Sequence, residues 1–247
     1  MGWEFLVIAT STGNTIVALT TAVQDIESYT ERDRSRPKRD AHVGMLPPKL
    51  AQIIINLATG SATPSPDFTV LDPFCGTGVV LQESLLMGFS AYGTDLEQRM
   101  VDYTDENVEW FKSGQNIAGT TRTEKGDATN HEWIAPVSAV ASETYLGRAF
   151  IDTPDAASLQ KTLQDCNLII SKFLRTIRDQ IDPGTSLCLA VPAWQTRPGQ
   201  FRHLPLIDAL ADLGYNRTRF EHVRDEQLLY YREDQTVARQ LLVITRK

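Results

Sequence analysis

The sequence has few cysteines, and their spacing suggests no paired use. The three, Cys75, Cys166 and Cys188, lie far apart, with no CxxC pair and no histidine cluster nearby. Disulfide frameworks and zinc sites need paired or closely spaced ligands, so this pattern predicts neither a disulfide nor a metal site. It is typical of a chain that works in a reducing, cytoplasmic compartment.

Long hydrophobic runs are also lacking. Residues 3–23 are moderately apolar, but the polar stretch 11–15 interrupts them. Glu4 occupies a position where a signal peptide would carry positive charge. We therefore expect no membrane segment and no membrane partner.

Positive charge is scarce, with 24 Lys and Arg against 31 Asp and Glu and a formal net charge of −7. Non-specific affinity for nucleic acid comes from neutralising phosphates, so the surface as a whole does not predict it. Any nucleic-acid contact must come from a local basic patch. One candidate is the stretch Arg32–Arg39, and the alternative is that this stretch is a solvated linker.

What the sequence does have is enough apolar residues for one large domain. At 247 residues and 42% hydrophobic content, a single α/β domain can bury a full core. Residues 1–30 hold two short β-branched stretches around a Gly13 break, which predict a β-hairpin appendage. The main domain is expected over residues 31–247.

The segment 72–78, Asp-Pro-Phe-Cys-Gly-Thr-Gly, is the clearest functional signal. Residues 68–71 before it predict a buried strand, and residues 79–87 after it predict a helix. A strand, a glycine turn and a helix N-terminus form the ligand crevice of an open α/β sheet. The third glycine of the usual dinucleotide pattern is missing, which favours a different adenosine cofactor.

This motif resembles the first motif of S-adenosylmethionine-dependent amino-methyltransferases, and most closely that of tRNA guanosine 2-amino methyltransferases, which usually carry an RNA-binding THUMP domain. The resemblance spans roughly residues 30–247. It implies an α/β, Rossmann-like class I methyltransferase fold with a seven-stranded, doubly wound, mostly parallel sheet. The alternation of predicted strands and helices favours the same architecture. The resemblance also implies S-adenosylmethionine as cofactor, bound by residues Asp72, Phe74, Cys75, Gly76, Thr77 and Gly78.

Other cofactor contacts follow from position and resemblance. Asp95, at the end of the predicted second strand with Leu96 beside it, is expected to accept hydrogen bonds from the ribose, and it also suits a helix N-cap. The resemblance places Asp127 and Ala128 at the adenine, although Gly-Asp is also a common turn. It places Met45 and Leu46, before a helix that starts near Pro48, beside the methionine end of the cofactor. A core helix cap explains these two residues equally well.

The loop after the predicted fourth strand, residues 138–141, departs from the family pattern of Asp or Asn, Pro, Pro, Tyr or Phe. Here the aligned residues are Ser142, Glu143, Thr144 and Tyr145. The resemblance implies that Tyr145 stacks on the acceptor base while Ser142 accepts a hydrogen bond. Glu143 either supplies the missing acceptor or is a surface carboxylate. Both prolines are absent, which relaxes the loop.

The sequence therefore predicts a methyltransferase acting on an exocyclic amino group of a guanosine in RNA, with tRNA as the expected substrate. Two alternatives stay open: a DNA amino-methyltransferase, and a catalytically inactive, cofactor-binding relative that acts as a scaffold. Some thirty N-terminal residues cannot contain a THUMP domain. RNA is thus either held in another way or bound by a separate subunit or domain.

The C-terminal half is expected to continue the alternation of strands and helices. The predicted elements are a helix over 159–177, a strand over 187–191, a polar loop over 194–200, a helix over 203–213, and strands over 220–223, 227–231 and 240–244.

Overall fold

The computed structural model describes residues 3–40, 45–134, 136–148, 154–197, 199–232 and 235–247. The chain divides into two compact units, Met1–Ser35 and Arg36–Lys247. The sequence placed a domain boundary after residue 30, and the first unit runs a few residues further because it includes a helix.

The first unit is a β-hairpin followed by that helix. Strands β1 (Phe5–Ala9) and β2 (Thr15–Leu19) pair antiparallel. Helix α1 (Ile26–Arg34) starts where the carboxylate of Asp25 accepts a hydrogen bond from the backbone N–H of Ser28, at 3.0 Å. The sequence analysis did not predict α1, although Asp is among the preferred N-cap residues.

The second unit alternates strands and helices along most of its length. Its elements are α2 (Pro48–Thr59), β3 (Thr69–Asp72), α3 (Val79–Leu86), β4 (Ser90–Asp95), α4 (Gln98–Ser113), β5 (Thr121–Lys125), β6 (Ala139–Glu143), α5 (Ala156–Arg178), β7 (Ser186–Arg197), β8 (Gln200–Arg202), α6 (Leu210–Leu213), β9 (Tyr215–Arg217), β10 (Leu229–Tyr230) and β11 (Val237–Arg246).

These strands form one sheet in which seven follow the order β10-β11-β7-β6-β3-β4-β5. The five strands from β7 to β5 are parallel, and β11 runs antiparallel to β7. The short strands β8 and β9 pair with β7 and β11 outside this path. This confirms the predicted seven-stranded, mostly parallel sheet. Because β3 has β4 on one side and β6 on the other, the strand order reverses at β3, which is where such folds bind ligands.

The long helices of the second unit are amphipathic or almost wholly buried, as their sequences require. Pro48 occupies the first turn of α2, where its missing N–H costs nothing, and Gly60 ends the helix with a φ of 58°. The long helix α5 is capped by Asp155 and buries one face, including Ile170 and Phe173, against the sheet. No helix among the described residues is long and apolar enough to span a membrane.

Several C-terminal predictions were wrong. The expected polar loop over 194–200 is largely strand: β7 continues to Arg197 and turns back through β8, and Trp194 is fully buried. The helix expected over 203–213 is only a 3-10 turn, Pro205–Ile207, followed by the four-residue α6, which Gly214 ends. The secondary structure of short segments with mixed periodicity depends on the elements that they pair or pack with. The local sequence pattern does not specify these elements.

The last strands also differ from the expectation. Residues 220–223 form no strand, and 227–231 divide into a 3-10 helix, Asp225–Leu228, and the two-residue β10. The final strand, β11, is longer at both ends than the predicted 240–244. It pairs with β7 over nine residues, and this long partner extends it beyond its apolar centre.

Candidate active site

A cavity of about 820 Å³ opens at the carboxyl ends of the parallel strands, entirely within the second unit. It lies where β3, β4, β5 and β6 end, the position that the topology predicts for a ligand. The sequence-predicted residues that line it are Leu46, Asp72, Phe74, Cys75, Gly76, Thr77, Asp95, Leu96, Asp127, Ala128, Glu143 and Tyr145. Residues from the cofactor motif and from the acceptor loop thus share one cavity.

The turn after β3 is held by hydrogen bonds to the end of β4. The backbone N–H of Gly76 donates to Oδ2 of Asp95 at 3.0 Å, and that of Cys75 donates to the carbonyl of Thr94 at 3.0 Å. Gly76 has a φ of 53°, and a Cβ built there would meet no atom within 4 Å. The glycine therefore leaves open space on the cavity side of the turn, which suits the close approach of a ligand.

Gly78 also has a positive φ, of 80°, but it does not line the cavity. A Cβ at this position would lie 2.7 Å from Cγ2 of Thr104 on α4. The structure therefore gives Gly78 a packing role, in which it starts α3 and lets α4 approach the turn. The prediction of a direct cofactor contact at Gly78 has no support from this geometry.

Asp95 is held in place by backbone hydrogen bonds, and its carboxylate can still accept hydrogen bonds from a ligand. Besides Gly76, its carboxylate accepts a hydrogen bond from the backbone N–H of Glu97, through Oδ1 at 3.0 Å. Burial raises the pKa of this carboxyl, while the hydrogen bonds from Glu97 and Gly76 lower it. Each oxygen takes one backbone donor and retains a lone pair that can accept a hydroxyl from a ligand in the cavity.

Asp72 is the most deeply buried acid of the site. Its Oδ1 accepts the hydroxyl of Ser142 at 2.6 Å and the backbone N–H of Phe74 at 3.2 Å. Burial raises the pKa of Asp72 to about 7, and the hydrogen bond from Ser142 opposes this shift. The negative charges of Asp95 and Glu143 raise this pKa further. Asp72, Asp95 and Glu143 thus form an acidic wall of the cavity, and a cationic ligand would favour the ionised forms of these carboxyl groups.

The turn after β5 places Asp127 at the cavity. Its Oδ1 accepts the backbone N–H and the hydroxyl of Thr129, at 2.9 and 2.8 Å. Ala128 is buried beside it, and Leu96, which follows β4 and also lines the cavity, is 60% exposed. Phe74 packs edge-on against Phe173 of α5, with ring centroids 5.4 Å apart. This part of the cavity therefore offers both apolar surface and hydrogen-bond acceptors.

Two further predicted residues do not line the cavity. Met45 is half-buried outside the lining, whereas its neighbour Leu46 belongs to it. Leu46 is also part of the apolar core beneath α2, together with Leu50, so the alternative of a core helix cap fits it as well. Ser142 is completely buried, and its hydroxyl points to Asp72.

The position of Ser142 follows from the true length of β6. The strand continues through Glu143, whereas the sequence analysis ended it at Ala141. Successive side chains of a strand point to opposite faces, so Ser142 and Glu143 cannot both face the cavity. Glu143 lines it, and its Oε1 accepts a hydrogen bond from Nε of Arg239 on β11. The acid at the strand end is therefore Glu143, one residue later than the alignment with the family pattern suggested.

Tyr145 stands at the mouth of the cavity and is 40% exposed. Burial raises the pKa of its hydroxyl, as do the nearby Cys166 and Asp165. Thr144, between Glu143 and Tyr145, turns its hydroxyl to the carbonyl of Ala190 at 3.2 Å. The ring of Tyr145 is thus available to a flat ligand, while the backbone before it is fixed to β7.

Sequence reasoning missed several residues of the site. Arg239 lies 96 positions from Glu143, and no local pattern connects them. The cavity is also lined by Arg148, Leu168, Ile169 and Lys172. For α5, the helical spacing predicted a helix but not which of its residues reach the cavity.

The basic stretch Arg32–Arg39 is only partly exposed. Arg32 and Arg36 are buried, at 8% and 3% exposure, and Lys38 forms an ion pair with Glu106 at 3.2 Å. Arg34 and Arg39 are exposed. Within the described ranges, no group of three or more His, Cys, Asp or Glu side chains is arranged to hold a metal ion.

Comparisons with known proteins agree with this geometry. A family model described as DNA methylase matches residues 10–106. The chain is 30% identical to tRNA (guanine(10)-N2)-dimethyltransferase of Methanothermobacter thermautotrophicus over 151 residues. This match covers 60% of this chain and 39% of that protein. The chain is also 30% identical over 139 residues to the protein of the same name from Methanocaldococcus jannaschii, or 55% and 38%. The chain thus spans about two fifths of the length of these curated relatives, and the resemblance stated from the motif is confirmed.

Solved structures confirm the fold. TrmN from Thermus thermophilus superposes with a TM-score of 0.58 at 18% identity, covering 94% of this chain and 57% of that chain. Magnesium protoporphyrin IX methyltransferase from Synechocystis, solved with bound SAH, gives 0.55 at 13% identity, covering 90% and 94%. At these identities the structural similarity is evidence for the fold alone, and the fold is that of class I methyltransferases.

Proposed function

We propose that this chain is an S-adenosylmethionine-dependent methyltransferase that acts on an exocyclic amino group of a guanosine in RNA, with tRNA as the substrate. The observation that carries the proposal is the single cavity in which Asp95 and the glycine turn lie together with Glu143 and Tyr145. One half of this cavity suits an adenosine cofactor, and the other suits a flat base with an amino group.

The cofactor fits the residues that are present. Asp95 has lone pairs for ribose hydroxyls, the turn at Gly76 is open to a close ligand, and Asp127 and Ala128 offer an acceptor and an apolar surface for adenine. The acidic wall that includes Asp72 suits the positive charges of a sulfonium and an ammonium group. When bound, the cofactor supplies an activated methyl group.

The chain's own contribution to the reaction is to position the acceptor. In-line transfer to nitrogen requires the amine lone pair to face the methyl group, and hydrogen-bond acceptors set that orientation. We assign this role to the carboxylate of Glu143, which Arg239 holds at the cavity. Tyr145 offers its ring to the base, which must leave its helix to reach such a pocket.

An RNA acceptor is supported by the relatives, two of which are named as tRNA dimethyltransferases of guanine 10. A DNA acceptor is the second candidate, and the DNA methylase family model is consistent with it. The third candidate, an inactive scaffold, rested on the missing first acid of the acceptor loop. Glu143 at the end of β6 weakens that argument, because it supplies a carboxylate at the cavity.

The test combines binding and transfer. Calorimetry with S-adenosylmethionine measures the cofactor site, and radiolabelled methyl transfer to bulk tRNA and to duplex DNA identifies the acceptor. We expect binding, and transfer to tRNA only. Transfer to DNA alone would replace the RNA assignment, and binding without transfer to either would favour the scaffold.

Two further parts of the proposal concern context. We propose that the protein works in the cytoplasm, which the reduced cysteines support. We also keep the prediction that a separate RNA-binding subunit or domain assists it. The sequence suggested the stretch Arg32–Arg39 as the RNA contact, and only Arg34 and Arg39 of its arginines are exposed.

A further inference from the structure

Strand β7 extends well beyond the edge of the sheet at which the cavity opens. Its parallel neighbour β6 ends at Glu143, which pairs with Ala190, and β7 goes on to Arg197. At the rise of a β-strand, these seven further residues span roughly 23 Å. The antiparallel β8 (Gln200–Arg202) covers the end of this extension, so a hairpin projects at the cavity edge.

The hairpin carries an aromatic pair. Phe201 of β8 and Tyr231, just after β10, lie with their ring centroids 4.8 Å apart and their planes inclined at 60°. Phe201 is partly exposed, and Tyr231 is 38% exposed. An aromatic pair with this exposure is the kind of feature on which unpaired bases stack, since every base has a π-face.

This aromatic pair is connected to the candidate active site through β11. Tyr230, the neighbour of Tyr231, pairs in register with Arg239. Arg239 in turn donates to Glu143, which lines the cavity. The adjacent strands β10 and β11 therefore connect the aromatic pair to the cavity.

Three exposed arginines belong to the same segments as the pair: Arg197 at the end of β7, Arg202 on β8 and Arg232 after Tyr231. Successive side chains of a strand point to opposite faces, so Arg202 lies on the face of β8 opposite to Phe201, where it donates to the amide oxygen of Gln160 on α5 at 2.6 Å. Within the described part of the chain, none of the three forms an ion pair. Glu233 and Asp234, which follow in the sequence, lie outside the described residues. In a protein of net charge −7, cations without an acidic partner beside exposed rings favour a polyanion with bases.

We propose that the RNA strand that flanks the target guanosine binds on this β7–β8 surface, defined by Phe201, Tyr231, Arg197 and Arg232. The inference rests on the proposed function and names the contact that positions its substrate. Bases next to the flipped guanosine stack on Phe201 and Tyr231, and the arginines contact their phosphates. The surface thereby holds RNA beside the cavity.

The test measures RNA affinity and its salt dependence. Fluorescence anisotropy with tRNA and with a labelled, unstructured RNA oligonucleotide compares wild type, Tyr231→Ala, and the double variant Arg197→Gln/Arg232→Gln. The log–log salt slope for the oligonucleotide should fall by about 1.4 in the double variant, since each single-strand phosphate contact contributes about 0.7. Tyr231→Ala should weaken binding by roughly tenfold or more with the slope unchanged.

The matched control is Arg34→Gln/Arg39→Gln, which removes the same charge from the rival basic stretch. It should leave affinity and slope at the wild-type values. Thermal melting and calorimetry with S-adenosylmethionine must show that all variants fold and bind cofactor equally.

Two outcomes would refute RNA binding on the β7–β8 surface. One is wild-type RNA affinity in both the Tyr231 and the double arginine variants, and the other is a loss confined to the Arg34/Arg39 control. If wild type methylates tRNA and the β7–β8 variants do so with an unchanged KM, the surface is refuted while the proposed function stands. Transfer to duplex DNA alone instead refutes the proposed function.

Discussion

At the scale of single residues, Asp95 carries the clearest prediction for the cofactor. Its carboxylate faces the cavity while it holds the turn through Gly76. Asp95→Ala removes a charged hydrogen-bond acceptor, which is worth about 1.5–3 kcal/mol, or roughly ten- to a hundredfold in affinity. Calorimetry with S-adenosylmethionine measures this loss. Asp102→Ala, an exposed acid of α4, is the control, and equal affinities in both variants would refute the ribose assignment.

The two glycines of the motif should behave differently. Both have positive φ, so alanine at either position costs about 1–2 kcal/mol of stability. Gly78→Ala should cost more, because its Cβ would lie 2.7 Å from Cγ2 of Thr104. Gly76→Ala should instead weaken cofactor binding, because its Cβ would enter the open side of the turn.

Thermal melts and calorimetry on both glycine variants separate these effects. Adding Thr104→Ser to Gly78→Ala removes the clashing methyl group and should recover part of the stability. If Gly78→Ala melts no lower than Gly76→Ala, or if the double variant recovers nothing, packing against Thr104 is not the reason for this glycine.

Asp72 predicts a particular dependence of stability on pH. Its pKa is about 7 in the folded protein against an ordinary value of 3.8, because burial disfavours the charged form. A carboxyl whose pKa is raised on folding stabilises the protein fully below 3.8 and loses that contribution as the pH rises to about 7. Asp72→Asn keeps acceptors for Ser142 and Phe74 but cannot ionise.

The free energy of unfolding of Asp72→Asn, relative to wild type, should therefore rise between about pH 4 and pH 7 and then level off. Urea denaturation at several pH values measures this difference, and the subtraction cancels the titrating groups that do not interact with Asp72. A constant difference over this range would mean that Asp72 titrates normally.

At the scale of elements, the end of β6 decides which side chain meets the acceptor. Glu143→Gln should lower kcat by roughly tenfold or more at unchanged cofactor affinity, since it removes a charge-assisted acceptor worth about 1.5–3 kcal/mol. Ser142→Ala should lower stability and leave the kcat of the folded enzyme nearly unchanged, because its hydroxyl is buried against Asp72. Single-turnover assays and melts distinguish the two. The reverse pattern would restore the alignment of Ser142 with the first residue of the family loop.

The same element shows what sequence can predict. The strand, turn and helix from residue 69 to residue 86 were predicted almost to the residue, because apolar periodicity and glycine turns are local signals. The predicted end of β6 was two residues too early, because the small and polar residues at the end of this strand carry no strand signal of their own. Pairing with β7 makes them strand. Arg239 reaches Glu143 only through the sheet order, which no local pattern contains.

For the whole molecule, the scarcity of positive charge does not exclude RNA binding but restricts it to local basic patches. The predicted basic stretch loses Arg32 and Arg36 to burial and Lys38 to an ion pair. Sequence proximity had grouped these cations, and folding separates them. The exposed arginines near Phe201 and Tyr231 were not recognised as a group, because they come from two separate segments of the chain, the β7–β8 hairpin and the residues after β10. A local patch, as the net charge requires, is therefore formed by the tertiary structure.

The second unit should be an autonomous cofactor-binding domain. The three apolar clusters that the described residues form draw their members from Leu46 to Ile244, and none comes from the first unit. The described residues that line the cavity all belong to the second unit. We expect a chain of residues 36–247 to melt cooperatively at the temperature of the full chain and to bind S-adenosylmethionine with the same affinity. Calorimetry and thermal melting of both chains test this. A lower melting temperature would show that the first unit stabilises the second, and weaker binding in a stably folded 36–247 would show that the first unit contributes to the cofactor site.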